Sequence, residues 1–307
     1  MPLSEKMVGE TFLAIVNPAA GGGRSAKLAG AQLARLKDKG LRVDAIASMA
    51  PGHASQLARE AYDQGYRRFL AAGGDGTACE IINGIFTREG QTERIELGYI
   101  PMGTGNSFLR DFTEKFSEDC IEALIAGRTR RVDLIRLRHA TGEIYSLNLI
   151  SMGFTADVAT LTNRLFKPFG HFGYLFGVLV RVAQLKRRPF KLRCDDAATW
   201  DDRRCLFLAF NNSKYTGGTM LIAPDADPSD GFIEFVRWGP IGRLGLLGML
   251  PRLYSGTHTK HPLAETRRVK HVEFALDEPV DVMVDGEVVT VSAQALDILP
   301  GAVDVYV

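Results

Sequence analysis

The chain has 307 residues, of which 46% are hydrophobic and 24% charged, with a formal net charge of +1. That size and apolar content suit two globular domains of ordinary dimensions, and the balanced charge gives no reason to expect nucleic acid as a partner, so any basic surface is local. Cys79, Cys120, Cys194 and Cys205 lie far apart, with no CxxC pair and no histidine at ligand spacing; they read as reduced thiols of a cytosolic protein, not as a disulfide framework or a zinc site.

The N-terminal MPLSEKMVGETFLAIVNP has no apolar run long enough for a signal-peptide core before Pro18, so no export is expected. TFLAIV (11–16) reads as a first strand, followed by NPAAGGGRS and a helix to about Lys39. RVDAIAS (42–48) is a second strand ahead of a helix from about Gly52. RRFLAA leads into GGDGT and a helix to about Phe86, and ELGYI (96–100) into PMGTGNS and a further helix. Strands and helices alternating at this spacing predict a parallel sheet covered on both faces, with three Gly-rich loops gathered at the C-terminal ends of its strands.

After Val132 the texture changes to short strand-like runs: VDLIRLR, a turn at HATGE, IYSLNLI, KLRC, CLFLAF, GFIEFVRW, HVEFAL, VDVMV, a DG turn, EVVTV and VDVYV. These predict an antiparallel sandwich or barrel, and the change of texture divides the chain into domains at 1–131 and 132–307. One apolar, aromatic segment interrupts the strands, a helical insertion at about 157–188. Its uncharged stretch from Phe172 to Val180 is about half of the roughly 20 residues a membrane span needs. It reads either as a helix buried between domains or as a hydrophobic wall for a lipid tail, drawn to an anionic surface by Lys186, Arg187 and Arg188. The stretch IGRLGLLGMLPRLYSG (241–256) has the same two readings.

The loop AAGGDGTACEIING (71–84) poses the chemical question. A strand, a Gly-rich turn and a helix start together make the usual holder of a phosphate, because backbone N–H groups can approach the anion. Asp75 repels a phosphate unless a metal ion lies between them or the carboxylate has chemistry to do. Taken singly, each of the three loops reads equally well as a tight turn.

In combination, NPAAGGGRS, GGDGTACEIING and PMGTGNS resemble the catalytic domain shared by diacylglycerol kinases, sphingosine kinases and their bacterial relatives. SMGFTADV (151–158), GGTMLIAPDADPSDGF (217–232) and VDGEVV (284–289) extend the resemblance over nearly the whole chain. It implies an α/β N-terminal domain with a Rossmann-like parallel sheet, of the phosphofructokinase and NAD-kinase type, followed by an all-β sandwich-like domain that takes the lipid. The implied activity is transfer of the γ-phosphate of ATP, with Mg2+, to a hydroxyl of diacylglycerol, a sphingoid base or a related lipid. The implied setting is the cytoplasm, peripherally attached to a membrane surface, and a homodimer is compatible with it.

The residue roles follow from the same resemblance. Asp75 is expected at the phosphates, acting on the metal through water or on the attacking hydroxyl's proton. Gly73, Gly74, Gly76, Thr77 and Glu80 are expected around the nucleotide, with Gly103, Thr104, Gly105 and Asn106 from the third loop, Asn17 and Gly21 on the adenine and ribose side, and Ser48 nearby. Ser107 departs from the aspartate that diacylglycerol kinases usually carry there. Glu287 is implied as proton acceptor opposite Asp75 across an interdomain cleft, although its residues alone read as a solvated strand position after a hairpin turn. Asp227 and Asp230 are either turn formers or, with the Phe232 carbonyl, ligands of a structural Mg2+. Asp157 and Asp285 are expected at the lipid headgroup. NAD kinase shares GGDGT, but PMGTGNS and SMGFTADV argue against it; a non-catalytic sensor is disfavoured because Asp75, Glu287 and the loop glycines are all present.

Overall fold

The computed structural model describes residues 8–23, 25–88, 90, 93–103, 105–161 and 187–307. They form two compact units, one containing the described residues up to Leu134 together with Pro300–Val307, the other Ile135–Leu299. The part of the helical insertion at 162–186, with Lys186, and the loop residue Thr104 lie outside the described residues.

In the first unit, strands β1 (Phe12–Val16), β2 (Val43–Ala47), β3 (Arg68–Gly73) and β4 (Ile95–Pro101) alternate with helices α1 (Ser25–Asp38), α2 (His53–Asp63), α3 (Asp75–Phe86) and α4 (Phe116–Ala126). The strand order is β2-β1-β3-β4, with β1 parallel to both neighbours and β3 parallel to β4. Because the path steps one way from β1 to β2 and the other way from β2 to β3, right-handed crossovers put α1 and α2 on opposite faces. Phe12, Ala14, Leu70, Ala72 and Ile100 pack with Ala29, Leu33 and Leu36 of α1 and Ile121 and Leu124 of α4. Ala54, Leu57, Ala58 and Ala61 of α2 recur at helical spacing as a buried stripe, as do Ala78, Ile81, Ile82 and Ile85 of α3. These two helices pack closely at Gly84, where a Cβ would lie 2.1 Å from the Ser55 carbonyl oxygen.

The first unit is completed from the far end of the chain. Val303, Asp304 and Val305 pair in parallel with Ile95, Glu96 and Leu97 of β4. VDVYV, which its texture placed among the later strands, is therefore the fifth strand of the parallel sheet.

The chain leaves the first unit along β5 (Thr129–His139), which hairpins into β6 (Gly142–Ser146). Then follow β7 (Leu149–Gly153), α5 (Phe154–Leu161), the short strands β8 (Arg188–Pro189), β9 (Leu192–Cys194) and β10 (Arg204–Cys205), and β11 (Phe207–Asn211). After β12 (Tyr215–Thr216) and β13 (Met220–Leu221) come β14 (Ile233–Trp238), α6 (Arg243–Ser255), β15 (Ala264–Val269), β16 (His271–Phe274), β17 (Val280–Val284), β18 (Glu287–Val291) and β19 (Ala293–Tyr306). One antiparallel sheet has the order β15-β14-β11-β7-β17-β18, while β16 pairs with β9 and β19 in another. Phe210 of the first stacks on Phe235 and meets Phe274 of the second edge-on at 5.8 Å, as inner-face residues of a sandwich do. The outer face of the six-stranded sheet carries α5 and α6, through Phe154, Val158, Leu246, Met249 and Leu253 around Phe207, Val236 and Trp238.

IYSLNLI, which alternation predicts as one strand, is split. Ser146 ends β6, Leu149 begins β7, and the chain changes sheet between them. The cause is Asp285, whose carboxylate takes the backbone N–H groups of Leu147, Asn148 and Leu149, each at 3.0 Å, and the Ser146 hydroxyl at 2.5 Å. Amides turned onto a buried carboxylate are not free to continue a ladder. No helix among the described residues is long and apolar enough to cross a membrane.

Candidate functional site

At the C-terminal ends of β1 and β3, helices depart to opposite faces, the topological switch point at which a parallel sheet takes its ligand. Asn17, directly after β1, is fixed there from three sides. Its N–H donates to the Ala72 carbonyl at 2.9 Å, its Oδ1 accepts from the Ala19 N–H at 3.0 Å, and its Nδ2 donates to Thr77 Oγ1 at 3.5 Å. The third loop is tied to the second by the N–H groups of Met102 and Gly103, both donating to the Gly73 carbonyl at 2.8 and 3.1 Å.

The glycines divide into two kinds. A Cβ at Gly73 would lie 2.1 Å from Thr77 Oγ1, one at Gly103 2.6 Å from the Gly74 Cα, and one at Gly21, whose φ is +57°, 2.5 Å from the Met102 carbonyl oxygen. These glycines are required by the protein's own packing, and they show that all three loops touch. Gly76, in the first turn of α3, is different: a Cβ there meets nothing within 4 Å, and a glycine in a helix costs roughly 0.5–1 kcal/mol relative to alanine. The fold gives no reason for it, and the space it leaves opens beside the N–H groups of the α3 N-terminus, where a phosphate is favoured.

Asp75 is the first residue of α3. Its Oδ2 accepts from the Ser107 N–H at 2.8 Å and its Oδ1 from the Phe108 N–H at 3.4 Å, where the third loop turns into the 3-10 helix Phe108–Asp111. The bond from Ser107 uses its backbone, so the departure from aspartate at this position leaves that contact in place. Asn106 adopts φ 46° and donates from Nδ2 to the Gly103 carbonyl at 3.1 Å; Gly105, half-buried, precedes it. Ser48 is buried, donating from its N–H at 2.8 Å and its Oγ at 3.4 Å to the Val16 carbonyl.

Glu80 departs from the nucleotide contact expected of it. Its Oε2 accepts from the Ala54 N–H at 3.0 Å. The residue preceding α2 is Gly52, with φ 81° and no side chain to cap the helix, so Glu80 supplies from α3 the acceptor that the α2 N-terminus lacks.

In the second unit, Asp285, expected at the headgroup, has protein partners. It is buried, at φ 48°, with its carboxylate engaged by four donors; burial pushes its carboxyl up from the usual range and the four hydrogen bonds oppose that rise. It anchors the β6–β7 corner. With Gly286 at φ 96° it makes the two-residue turn joining β17 to β18, after which Glu287, paired with Val284, is exposed. Asp157, on α5, is half-buried and forms an ion pair with Arg188 at 3.4 Å.

Asp227 Oδ1 accepts from the Ser229 N–H at 3.0 Å and Asp230 Oδ1 from the Phe232 N–H at 2.9 Å, the local bonds of turn-forming aspartates. The other Asp230 oxygen is held by Arg268, whose guanidinium also lies 4.2 Å from the centre of the Phe232 ring. Among the described residues no group of three or more His, Cys, Asp or Glu side chains gathers to hold a metal, and the set expected here has two carboxylates and a carbonyl. Two carboxylates and a carbonyl are oxygen donors of the kind Mg2+ takes, and the Arg268 ion pair competes for one of them. The contacts that residue types alone did not reveal, Glu80 to Ala54, Asp285 to Ser146 and Asp230 to Arg268, span 26 to 139 positions and carry no local sequence signal.

The diacylglycerol kinase catalytic domain model matches residues 11–137, and the YegS C-terminal NAD kinase beta sandwich-like domain model matches residues 148–307. A diacylglycerol kinase of Mycobacterium tuberculosis (strain CDC 1551 / Oshkosh) is 30% identical over 298 residues, which cover 95% of this chain and 93% of that protein. Another, from Staphylococcus saprophyticus, is 31% identical over 260 residues, 83% of this chain and 81% of its own. The crystal structure of a diacylglycerol kinase from Bacillus anthracis str. Sterne shares the fold, with a TM-score of 0.69 at 18% identity over 97% of this chain and 96% of that one. With two family models matching residues 11–137 and 148–307 and a relative 30% identical over 95% of its length, the chain belongs to the diacylglycerol kinase family and is a lipid kinase.

Proposed function

We propose that the protein transfers the γ-phosphate of ATP to the free hydroxyl of diacylglycerol. The observation that carries the nucleotide half is the meeting of three Gly-rich loops at the C-terminal ends of the parallel strands, where Gly76 leaves an opening that no protein atom needs. The lipid half is supported by relatives named diacylglycerol kinase that match most of the chain. In this reading Gly73, Gly74, Gly76 and Thr77 surround the phosphates, Gly103, Gly105 and Asn106 face them with Thr104, and Asn17, Gly21 and Ser48 lie toward the nucleoside. Mg2+ accompanies the nucleotide and neutralises charge on its phosphates. Asp75 is the acid at the phosphates, Glu287 accepts the proton of the attacking hydroxyl, and Asp157 lies on the lipid side. Because the acceptor is a membrane lipid, the protein works at a membrane surface.

Gly76→Ala tests the nucleotide half without disturbing the fold. The added methyl meets no protein atom and favours the helix, so the melting temperature holds or rises slightly. If a phosphate occupies that opening, KM for ATP rises about tenfold or more; an unchanged KM removes Gly76 and its opening from the site. Transfer from γ-labelled ATP to a panel of diacylglycerol, sphingoid base and NAD, followed by separation of organic and aqueous phases, tests the acceptor. Label in the aqueous NAD fraction alone would overturn the lipid assignment.

A further inference from the structure

Helix α6 has two apolar faces, and only one of them is needed by the fold. Leu246, Met249 and Leu253 face inward and pack on the six-stranded sheet. At 3.6 residues per turn, Leu244, Leu247 and Tyr254 fall within about 80° of arc on the opposite side, and they are 86%, 37% and 55% exposed. Large side chains left in water along one stripe of a helix whose other side already supplies the core are what an interfacial helix presents.

The charge along α6 and its flanks in sequence has one sign. No acidic residue occurs between Glu234 and Glu265, while Arg243, Arg252 and Lys260 all fall in that interval and are exposed. At the N-terminal end of α6 a hollow is lined by Arg187, Arg204, Gly242, Arg243, Leu244 and Gly245, three guanidiniums and no carboxylate. Arg187 is held at its rim by its Nε, which donates to the Ile241 carbonyl at 3.2 Å. The positive end of the helix dipole adds to the same potential.

We infer that α6 is a membrane-docking helix: Leu244, Leu247 and Tyr254 enter the headgroup–acyl boundary of a bilayer while Arg187, Arg204 and Arg243 hold the phosphates of anionic lipids in the hollow. The inference rests on the lipid-kinase reading, since a kinase whose acceptor is embedded in a bilayer must stay at the surface long enough to find it. It assigns the apolar contact to α6, with Arg187 at the end of the insertion at 157–188 contributing only to the hollow. Charge complementarity selects an anionic bilayer over an acidic protein because Leu244, the most exposed residue of the apolar stripe, itself lines the hollow beside the arginines.

The test is sedimentation of the full-length protein with phosphatidylcholine vesicles, with and without phosphatidylglycerol, alongside light scattering of the protein alone. Wild type is expected to partition onto the phosphatidylglycerol vesicles and only weakly onto phosphatidylcholine. The pair Leu244→Ser and Leu247→Ser should lower that partition about tenfold or more at an unchanged melting temperature, whereas Leu244→Phe, which keeps the apolar area, should retain it. Arg187→Gln and Arg243→Gln should each lower it about fivefold, with the difference shrinking as salt rises. Unchanged partition of the serine pair overturns the inference, as does equal wild-type binding to uncharged vesicles. A serine pair that turns a wild-type dimer into a monomer and binds vesicles normally also overturns it, by making α6 a contact between two copies of the chain. Turnover of a short-chain, water-dispersed diacylglycerol separates this from the substrate reading: its absence in wild type would refute diacylglycerol as acceptor, while the sedimentation result still decides the docking surface.

Discussion

The Asp75 carboxylate draws the third loop in through the amides of Ser107 and Phe108, and in our reading the same group acts at the phosphates. Asparagine separates the two tasks, since its Oδ1 can still accept from a backbone N–H while its charge is gone. Asp75→Asn is expected to cost about 1 kcal/mol of stability, the scale of one weakened hydrogen bond, and to lower kcat about 10²-fold or more. A kcat within a few-fold of wild type would leave Asp75 as a loop anchor only. At this scale the sequence was legible wherever a residue's task is local. Asp75 and the loop glycines stand next to one another, and a strand–glycine–helix junction implies a backbone presented to an anion. For Glu80 and Asp285 the family resemblance implies ligand contacts, while their protein partners, Ala54 in one case and residues 146–149 in the other, lie far away along the chain, and a carboxylate looks the same in sequence whether it faces a ligand or a buried amide.

The β17–β18 hairpin carries two acids, two positions apart, with opposite expected consequences. Asp285 satisfies four donors in a buried corner, so Asp285→Ala leaves them without their acceptor and should cost about 3 kcal/mol or more, lowering the melting temperature sharply. Glu287 is exposed; Glu287→Gln should change stability by less than about 0.5 kcal/mol and, if it is the proton acceptor, lower kcat strongly. Melting and turnover measured on both variants decide the matter, and full activity of Glu287→Gln would return it to an ordinary strand position. The hairpin itself was plain from DG between alternating runs, but not that its first residue reaches across to break a predicted strand. Helix α6 is anchored at its other end by His258, fully buried in the 3-10 turn Thr257–Lys260, with Nε2 at 3.1 Å from the Ile222 carbonyl and the ring edge-on to Trp238. Burial pushes its pKa below the ordinary 6.5, with backbone hydrogen bonds opposing the fall. Below pH 6.5 the unfolded chain therefore takes up a proton that the folded chain refuses, and stability falls as pH drops. His258→Phe should be less stable by about 1 kcal/mol near neutral pH, and the gap to wild type should close as pH falls toward about 5. Parallel profiles would show that His258 does not contribute to the acid response.

The chain crosses between its two units within β5 and again within β19, so the last residues belong to the unit that forms first in the sequence. Local texture groups VDVYV with the strands before it, because a five-residue alternating run carries no record of whether its neighbour is parallel or antiparallel, or 14 or 200 residues away. The alternation of strands, loops and helices that defines the first four strands of the parallel sheet was legible; its closing strand was not, since only pairing with β4 reveals it. That strand has measurable weight. Val303 and Val305 are fully buried and Tyr306 nearly so, its ring 5.5 Å from that of Phe12 and its hydroxyl on Glu96, and the Gly301 N–H donates to Asp133 at 2.7 Å. Each large apolar side chain lost from such positions costs about 1.5–3 kcal/mol, so together they represent much of the roughly 5–15 kcal/mol that holds a domain folded. A chain ended at Leu299 keeps the part of β19 that pairs with β16 but leaves β4 as a bare edge. Its peptides from β1 to β4 should exchange amide hydrogens rapidly and ATP binding should vanish, while β11, β14 and β17 stay protected. Slow exchange in β1–β4 with intact nucleotide binding would show that the first unit stands without its last strand, and that the chain's return serves only to join the units.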